Sequence, residues 1–194
     1  QRSSPRSGRK SREEVESSTV QQVGYATPAN FHKIRDGSCR EASRHYSDVL
    51  RHAAATYGES FAFIRVAFPL ETECNPLARI RQPHDAACEA AAAVRLARLE
   101  CPGLEQAVVD WLWQHQSELT PDFVFDQLDV EFGLDVRRRY KELLPDIIKD
   151  ATDAHRLNVN GTPTFFLNGR RLPLLEARAM TMAIAAEVRH IGRK

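Results

Sequence analysis

The segment from Val159 to Leu172 constrains the fold of this chain more than any other stretch. Pro163 cannot donate a backbone hydrogen bond, so it belongs at the start of a strand or on a sheet edge. Thr164 to Leu167 are rich in the residue types that favour strands, and Asn168-Gly169 is a strong hairpin-turn signal. The segment therefore predicts a strand, a tight turn and a second strand, entered through a proline.

The composition of the chain limits the number of domains and the kinds of partner that it can have. With 194 residues and 42% hydrophobic content, the chain can bury one sizeable core, which favours a single domain, with room for an insertion. A formal net charge of +1 gives no global field that would support a nucleic-acid partner. No stretch approaches the roughly 18 consecutive apolar residues of a membrane span, and the N-terminus does not read as a signal peptide.

Residues 1–18 are expected to form a disordered polar and basic tail or linker. The first 12 residues include five basic residues, several serines and no acidic residue, a composition that cannot offset the entropy lost on ordering. Two alternatives are a link to a membrane span or upstream domain, and a basic arm that touches acidic lipid. Because the chain begins with glutamine, a processed precursor is also an option.

The N-terminal half predicts strand, helix, strand. Val20 to Tyr25 can form a short strand and Phe31 to Ile34 a second one, although both are only weakly apolar. Asp36 is a good N-cap for an amphipathic helix that ends at Gly58. Phe61 to Phe68 is dense in aromatic and β-branched residues and is expected to be a buried, central strand.

A helical stretch follows and leads up to the proline hairpin. It begins with an alanine-rich helix and ends with one that Pro145 is expected to break or kink. Trp111 and Trp113 cannot face the same side of a helix, so one of them is expected in the core. A final amphipathic helix closes the chain. The predicted helices span about 85–99, 104–116, 121–132, 135–155 and 174–191.

Several short segments, taken in order, resemble the DsbA-like thioredoxin-fold disulfide oxidoreductases. They resemble in particular the thioredoxin-like domains that accompany vitamin K epoxide reductase homologues. With the Thr162-Pro163 hairpin, which resembles the cis-proline element of that family, they span about residues 57–172. The segments are Phe68-Pro69-Leu70, Cys74-Asn75-Pro76, His84 to Ala91, Trp111 to Gln116, and Phe132 to Asp135.

This resemblance implies an α/β, thioredoxin-like fold over residues 19–194. It also implies an all-helical insertion, at about 84–156, between the central strand and the cis-proline hairpin. The implied activity is thiol-disulfide exchange on the thiols or disulfides of other proteins. Thr162 and Pro163 would then bind the backbone of an extended substrate peptide by adding it to the sheet as a strand.

The family chemistry needs two cysteines three positions apart at a helix N-terminus, and this chain has no Cys-x-x-Cys. Cys39 could hold the second cysteine place, with Asp36 replacing the nucleophile and remaining beside the substrate. It could instead hold the first place, with Ala42 replacing the resolving cysteine. In a third register, Arg40 and Ser43 take both places. Cys39 is in each case the candidate catalytic sulfur, and engineered removal of the cysteines is a further explanation.

Cys74 and Cys88 are the candidates for a structural disulfide. In an oxidising compartment their spacing suits a bridge, and closing a loop of about 15 residues would contribute roughly 3 kcal/mol. The alternative is two unpaired buried thiols. Cys101 would be a leftover thiol, a partner of Cys39, or a replacement for Cys74 or Cys88 in their pair, and four cysteines allow three pairings.

No metal site or cofactor is predicted, because the seven histidines and four cysteines form no ligand set with zinc or iron spacing. The expected partners are protein thiols, protein disulfides or extended peptides, with a membrane redox protein as one further option and no nucleic acid. The expected location is extracytoplasmic, periplasmic or secreted, with an N-terminal membrane tether as an option. The competing function is a redox-inactive, peptide-binding or structural thioredoxin-like module.

Overall fold

The computed structural model describes residues 20–25, 38–78, 85–173 and 176–191, with side chains omitted for 20–25 and 38–45. The strands in these ranges form one mixed sheet in the order β2-β1-β3-β4. β1 and β2 are parallel, whereas β3 is antiparallel to both β1 and β4. The strands are β1 (Val20–Tyr25), β2 (Phe61–Val66), β3 (Thr164–Leu167) and β4 (Arg170–Leu172).

The described helices fall into two groups. Those that accompany the sheet are α1 (Ser38–Tyr57) and α6 (Ala177–Ile191). Those of the helical insertion are α2 (Ala87–Glu100), α3 (Glu105–Gln114), α4 (Pro121–Phe132) and α5 (Val136–Arg156). This arrangement is an α/β, thioredoxin-like fold with a helical insertion, as the sequence predicted.

One core lies between α1, α6 and the sheet. Tyr46 and Leu50 of α1 and Met180 and Ile184 of α6 pack with Phe165 of β3. The larger core belongs to the insertion and is built from the alanine-rich face of α2 against α3, α4 and α5. Alanine suits this position because its small side chain lets neighbouring helices approach closely while keeping high helix propensity.

Local signals in the sequence set several boundaries. The Thr120 hydroxyl accepts a hydrogen bond from the Phe123 N–H and caps α4, which ends at Gly133 with φ +67°. The hairpin turn has positive φ at Asn168 and Gly169, as the predicted Asn-Gly turn requires. The strand predicted at 20–25 is present as β1, whereas the one predicted at 31–34 and the N-terminal tail lie outside the described residues.

Three predictions about these elements were wrong. The strand that was expected to be buried is mostly half-buried in β2, and among the described strands it pairs with β1 alone. The break expected at Pro145 is absent, since α5 continues through it as one helix. Trp111 and Trp113 are both buried, since α3 has packed neighbours on both sides. None of the helices in the described ranges combines the length and apolar character needed to cross a membrane.

Candidate functional site

The sheet topology determines which edge carries Pro163. β3 runs antiparallel to β1, and Thr164 at the start of β3 pairs with Tyr25 at the end of β1. Pro163 immediately precedes Thr164, so it lies at the edge where the parallel strands β1 and β2 end.

The beginning of α1 belongs to the same edge. α1 ends at Tyr57, and only a short 3-10 turn at 58–60 separates it from the start of β2, at the opposite edge. A helix that connects two parallel strands runs back across the sheet, so its N-terminus lies where the strands end. Cys39 is the second residue of α1, and the topology therefore brings it and Pro163 to one edge of the sheet.

Packing between α1 and β3 agrees with this placement. The Tyr46 ring lies 5.0 Å from the Phe165 ring, measured between centroids. Phe165 follows Pro163 by two residues, and Tyr46 follows Cys39 by seven, which is about 10 Å along a helix. The first two turns of α1 thus extend from this contact toward the edge that carries Pro163.

The peptide bond between Thr162 and Pro163 is cis, and both residues are half-buried at the surface. Thr164 is buried, and its hydroxyl donates a hydrogen bond of 2.7 Å to the Gly161 carbonyl. Because this bond ties the loop to the start of β3, the Thr162-Pro163 segment is held on the sheet while it can still contact a bound peptide.

Two further contacts hold the residues before this loop. Val159 is fully buried against Phe68, Ala154 and Phe166, and its N–H donates to the Ala154 carbonyl. The Asn158 carbonyl accepts a 2.8 Å hydrogen bond from Arg171 Nη1 on β4. Both ends of the segment between α5 and β3 are therefore attached to the sheet and its core.

A polar contact that the sequence analysis did not foresee joins this segment to the loop after β2. The fully buried Asn75 donates from Nδ2 to the Pro69 carbonyl, so its Oδ1 is the acceptor available to His155 Nε2 at 2.8 Å. The His155 ring also lies 5.1 Å from the Phe68 ring. A histidine at the end of a helix and a lone asparagine 80 positions away share no pattern by which sequence reasoning could pair them.

The structure joins Cys74 and Cys88 by a disulfide, the pairing favoured from the sequence, with Cα atoms 5.7 Å apart. Both cysteines are fully buried, whereas Cys101 is free and exposed after α2. Cys74 immediately precedes Asn75, so the disulfide fixes the loop that contacts His155. Cys101 therefore remains as a thiol, and Cys39 is left without a partner from this pair.

The predicted site residues have different outcomes. Thr162, Pro163 and Cys39 are brought to one edge of the sheet, and their functional roles stay predictions. Asp36 lies outside the described residues, so the register of the degenerate motif stays open.

No family model matches the chain. It is 29% identical over 153 residues to Na(+)/H(+) antiporter NhaA 1 of Mycolicibacterium vanbaalenii, a match that covers 76% of this chain and 23% of the antiporter. It is 28% identical over 150 residues to the antiporter of the same name from Mycolicibacterium gilvum, covering 74% and 22%. The chain therefore spans about a quarter of the length of these curated relatives.

Solved structures share the fold at low sequence identity. BdbD from Bacillus subtilis superposes with a TM-score of 0.60 at 16% identity, covering 89% of each chain. The oxidoreductase NmDsbA1 from Neisseria meningitidis gives 0.60 at 12% identity, covering 91% of this chain and 87% of its own. The cytosolic disulfide reductase DsbM from Pseudomonas aeruginosa gives 0.59 at 16% identity, covering 87% and 99%. The chain thus has the fold of the DsbA-type disulfide oxidoreductases.

Proposed function

We propose that this chain is a thiol-disulfide exchange domain of the DsbA type that acts on protein thiols or disulfides through the single sulfur of Cys39. The observation that carries the proposal is the shared edge of the sheet, where Cys39 begins α1 and the cis Thr162-Pro163 bond begins β3. A helix N-terminus favours the thiolate form of a nearby cysteine, and the thiolate is the nucleophile in exchange.

With one sulfur at the site, the expected reaction stops at a mixed disulfide. The Cys39 thiolate attacks a disulfide of the partner protein, forms one new S–S bond and releases one partner thiolate. A second thiol, from glutathione or from the partner, must then attack the mixed disulfide to release Cys39. This chain would therefore depend on an external thiol for turnover.

The domain is proposed to act outside the cytoplasm. The buried Cys74–Cys88 disulfide supports this, because structural disulfides persist chiefly in oxidising compartments. The fold alone is neutral on location, since DsbM, with the same fold, is cytosolic.

A membrane protein is the proposed physiological partner. The matched relatives are named antiporters, and the region similar to this chain occupies less than a quarter of their length. This supports a thioredoxin-like domain that works beside, or as part of, an integral membrane protein. The resemblance to domains that accompany vitamin K epoxide reductase homologues suggests a membrane redox protein as the second form of such a partner.

The competing proposal is a redox-inactive module that binds an extended peptide at the Thr162-Pro163 segment. The missing Cys-x-x-Cys favours it, and the half-buried loop at the sheet edge would serve either function.

A reductase assay with insulin and glutathione separates the two proposals. We expect turnover above the glutathione background in the native protein, loss of that turnover in Cys39→Ser, and no change in Cys101→Ser, the matched control. Equal turnover in the native and Cys39→Ser proteins would contradict the assigned role. Turnover at background, with retained binding of an unfolded peptide that Thr162→Arg removes, would favour the binding module.

Two gain-of-function variants test the register of the motif. Asp36→Cys places a cysteine three positions before Cys39, and Ala42→Cys places one three positions after it. Only the variant that matches the true register should form a disulfide with Cys39 and, with dithiothreitol as the electron source, reduce insulin without glutathione. If neither variant does so, the third register, in which Arg40 and Ser43 replace the cysteines, is favoured.

A further inference from the structure

The segment between α5 and β3 carries the proposed peptide-binding residues, and its position depends on where α5 ends. Residues 157 and 158 are exposed, Val159 is buried, and the chain then returns to the surface before Thr162 and Pro163. A segment with a single buried residue has few apolar contacts of its own, so it can shift when its anchors move. The contacts that hold the end of α5 therefore decide where Thr162 and Pro163 are presented.

His155, in the last turn of α5, is held by a buried polar side chain. Its Nε2 lies 2.8 Å from Asn75 Oδ1. Asn75 is fully buried, and its Nδ2 donates to the Pro69 carbonyl. Its backbone N–H donates to the Glu71 carbonyl, and its backbone carbonyl accepts from the Ala78 N–H. Because every polar group of Asn75 is bonded, its amide is held in one orientation, with Oδ1 facing His155.

The His155 ring also joins the apolar core beneath the segment. It lies 5.1 Å from the Phe68 ring, measured between centroids, and Phe68 is 2% exposed. Phe68 belongs to the same core cluster as Val159. Val159 is four residues before Pro163, so a path of contacts leads from Asn75 through His155 and Phe68 to the segment.

The hydrogen bond between Asn75 and His155 restricts this path to one geometry. Apolar contacts are non-directional, whereas a hydrogen bond weakens steeply once its donor and acceptor lose their alignment. Losing the bond would also leave a buried oxygen without a partner, which carries a cost of its own. The pair therefore favours a single position for the end of α5 and for the residues that follow it.

We propose that Asn75 and His155 are positioning residues that set the affinity of the Thr162-Pro163 segment for an extended peptide. The inference rests on the proposed peptide-binding role of that segment and does not depend on redox activity of Cys39. Without the pair, the segment would adopt its binding arrangement in only a fraction of the molecules, and the apparent affinity for a peptide would fall by that fraction. The pair thus acts on peptide binding through the segment, without touching the peptide.

Binding of alkylated insulin B chain, labelled with fluorescein and followed by fluorescence anisotropy, tests the proposal. Alkylated cysteines cannot exchange with protein thiols, so the assay reports peptide binding alone. We expect His155→Ala to weaken binding about five- to tenfold. His155→Gln, whose side-chain amide can donate to Asn75 Oδ1, should bind within about twofold of the native protein.

His115→Ala is the matched control. His115 also lies at the end of a helix and is half-buried, and its Nδ1 is 2.9 Å from the Trp111 carbonyl. Its ring stacks on that of Trp111 with centroids 4.2 Å apart. The substitution therefore removes a comparable hydrogen bond and ring contact from the insertion, and peptide binding should stay native. Circular dichroism at the assay temperature establishes that both alanine variants are folded, so a difference between them reports the segment and not general stability.

A double-mutant cycle tests whether the two residues act through each other. Asn75→Ala should weaken binding at least as much as His155→Ala, because it also removes the bond to the Pro69 carbonyl. The double variant should bind no more weakly than Asn75→Ala, since the bond between the two side chains is already lost there. Additive losses would overturn the pairing. If Asn75→Ala fails to fold, the comparison of alanine with glutamine at position 155 decides.

The remaining outcomes separate this inference from the peptide site on which it rests. If Thr162→Arg abolishes binding while His155→Ala binds like the native protein, the peptide site stands and the positioning role is overturned. Equal weakening in His155→Ala and His155→Gln, or in His155→Ala and His115→Ala, also overturns it. If the peptide does not bind, or binds equally to the native protein and Thr162→Arg, the peptide site itself is wrong and the positioning role fails with it.

Discussion

His155 Nε2 and Asn75 Oδ1 lie 2.8 Å apart and connect the end of α5 to the loop after β2. Asn75 is held from the other side by its own bond to the Pro69 carbonyl, also 2.8 Å. The contact therefore holds the loop that carries the disulfide against the end of α5, from which the chain continues to Pro163.

Removing this contact should destabilise the fold. In His155→Ala the Asn75 oxygen loses its partner inside the protein, which should cost about 1–3 kcal/mol in the free energy of unfolding. Urea denaturation measures the loss, and hydrogen exchange should report reduced protection at 158–162. His190→Ala, at an exposed position of α6, is the control. A change of less than about 0.5 kcal/mol in His155→Ala would show that water replaces the imidazole.

The Cys74–Cys88 disulfide closes a loop with a sequence separation of 14. Its replacement in a Cys74→Ser, Cys88→Ser double variant should lower the free energy of unfolding by about 3 kcal/mol, chiefly through the unfolded chain. Denaturation with and without reductant measures this. The native protein should lose stability on reduction while the double variant should not, and a reductant effect of equal size in both would contradict the assignment.

Glu105 should make the fold sensitive to acid. It lies 3.1 Å from Arg65 and 2.9 Å from Arg98. Burial raises the pKa of Glu105, but the hydrogen bonds and charges of Arg98 and Arg65 outweigh it, so the net pKa is below its usual value. The carboxylate therefore contributes stability above the pKa of the unfolded chain, and this contribution is lost as pH falls through the lower pKa of the folded protein.

A pH series with Glu105→Gln checks this sign. At pH 7 the variant should be about 1–3 kcal/mol less stable than the native protein, because Arg65 is then buried without its anionic partner. The difference should shrink steadily below about pH 4.5 as the native carboxylate takes up its proton. Glu118→Gln, at an exposed position between α3 and α4, is the control and should follow the native curve throughout. If the difference in the free energy of unfolding between the two proteins stayed constant with pH, the substitution would act through packing and not through the charge of Glu105.

Two substitutions within α6 test which face of this helix packs on the sheet. Ile184 is fully buried beside Met180, whereas Met182 is 64% exposed. Ile184→Ala should lower the free energy of unfolding by about 2–5 kcal/mol through the cavity it leaves. Met182→Ala should change it by less than about 0.5 kcal/mol. Equal effects of the two substitutions, measured by chemical denaturation, would contradict the position of α6.

Local chemistry made much of this architecture predictable. The Asn168-Gly169 turn, the Thr120 cap and the alanine-rich helix each depend on neighbouring residues, so a single sequence contains the relevant information. The Cys74–Cys88 pair was favoured because its spacing suits a bridge and the polar loop around Cys74 has little else to hold it. The resemblance supplied the topology that relates Pro163 to the beginning of α1.

The features that were missed depend on residues distant in sequence. Phe61 to Val66 has the composition of a buried strand, yet most of its residues are half-buried and Ile64 is 41% exposed, because apolar composition alone does not show how many elements pack on a strand. Helical periodicity assumes that one face of a helix meets solvent, so only one of Trp111 and Trp113 was expected in the core. Both are buried, because α3 has packed neighbours on both of these faces.

The hydrogen bond from Arg98 Nη2 to the Arg65 carbonyl, 2.6 Å long, joins α2 to β2, which pairs with β1 alone among the described strands. An exposed edge strand is a template on which a second polypeptide can assemble as fibrils or swapped dimers. Arg98 occupies an acceptor that such an incoming chain would need, and Glu105 and Gln106 hold the adjacent Arg65 side chain. Within the described residues the helical insertion thus occupies this acceptor of β2, and we expect a variant that lacks the insertion to self-associate more readily than the native protein.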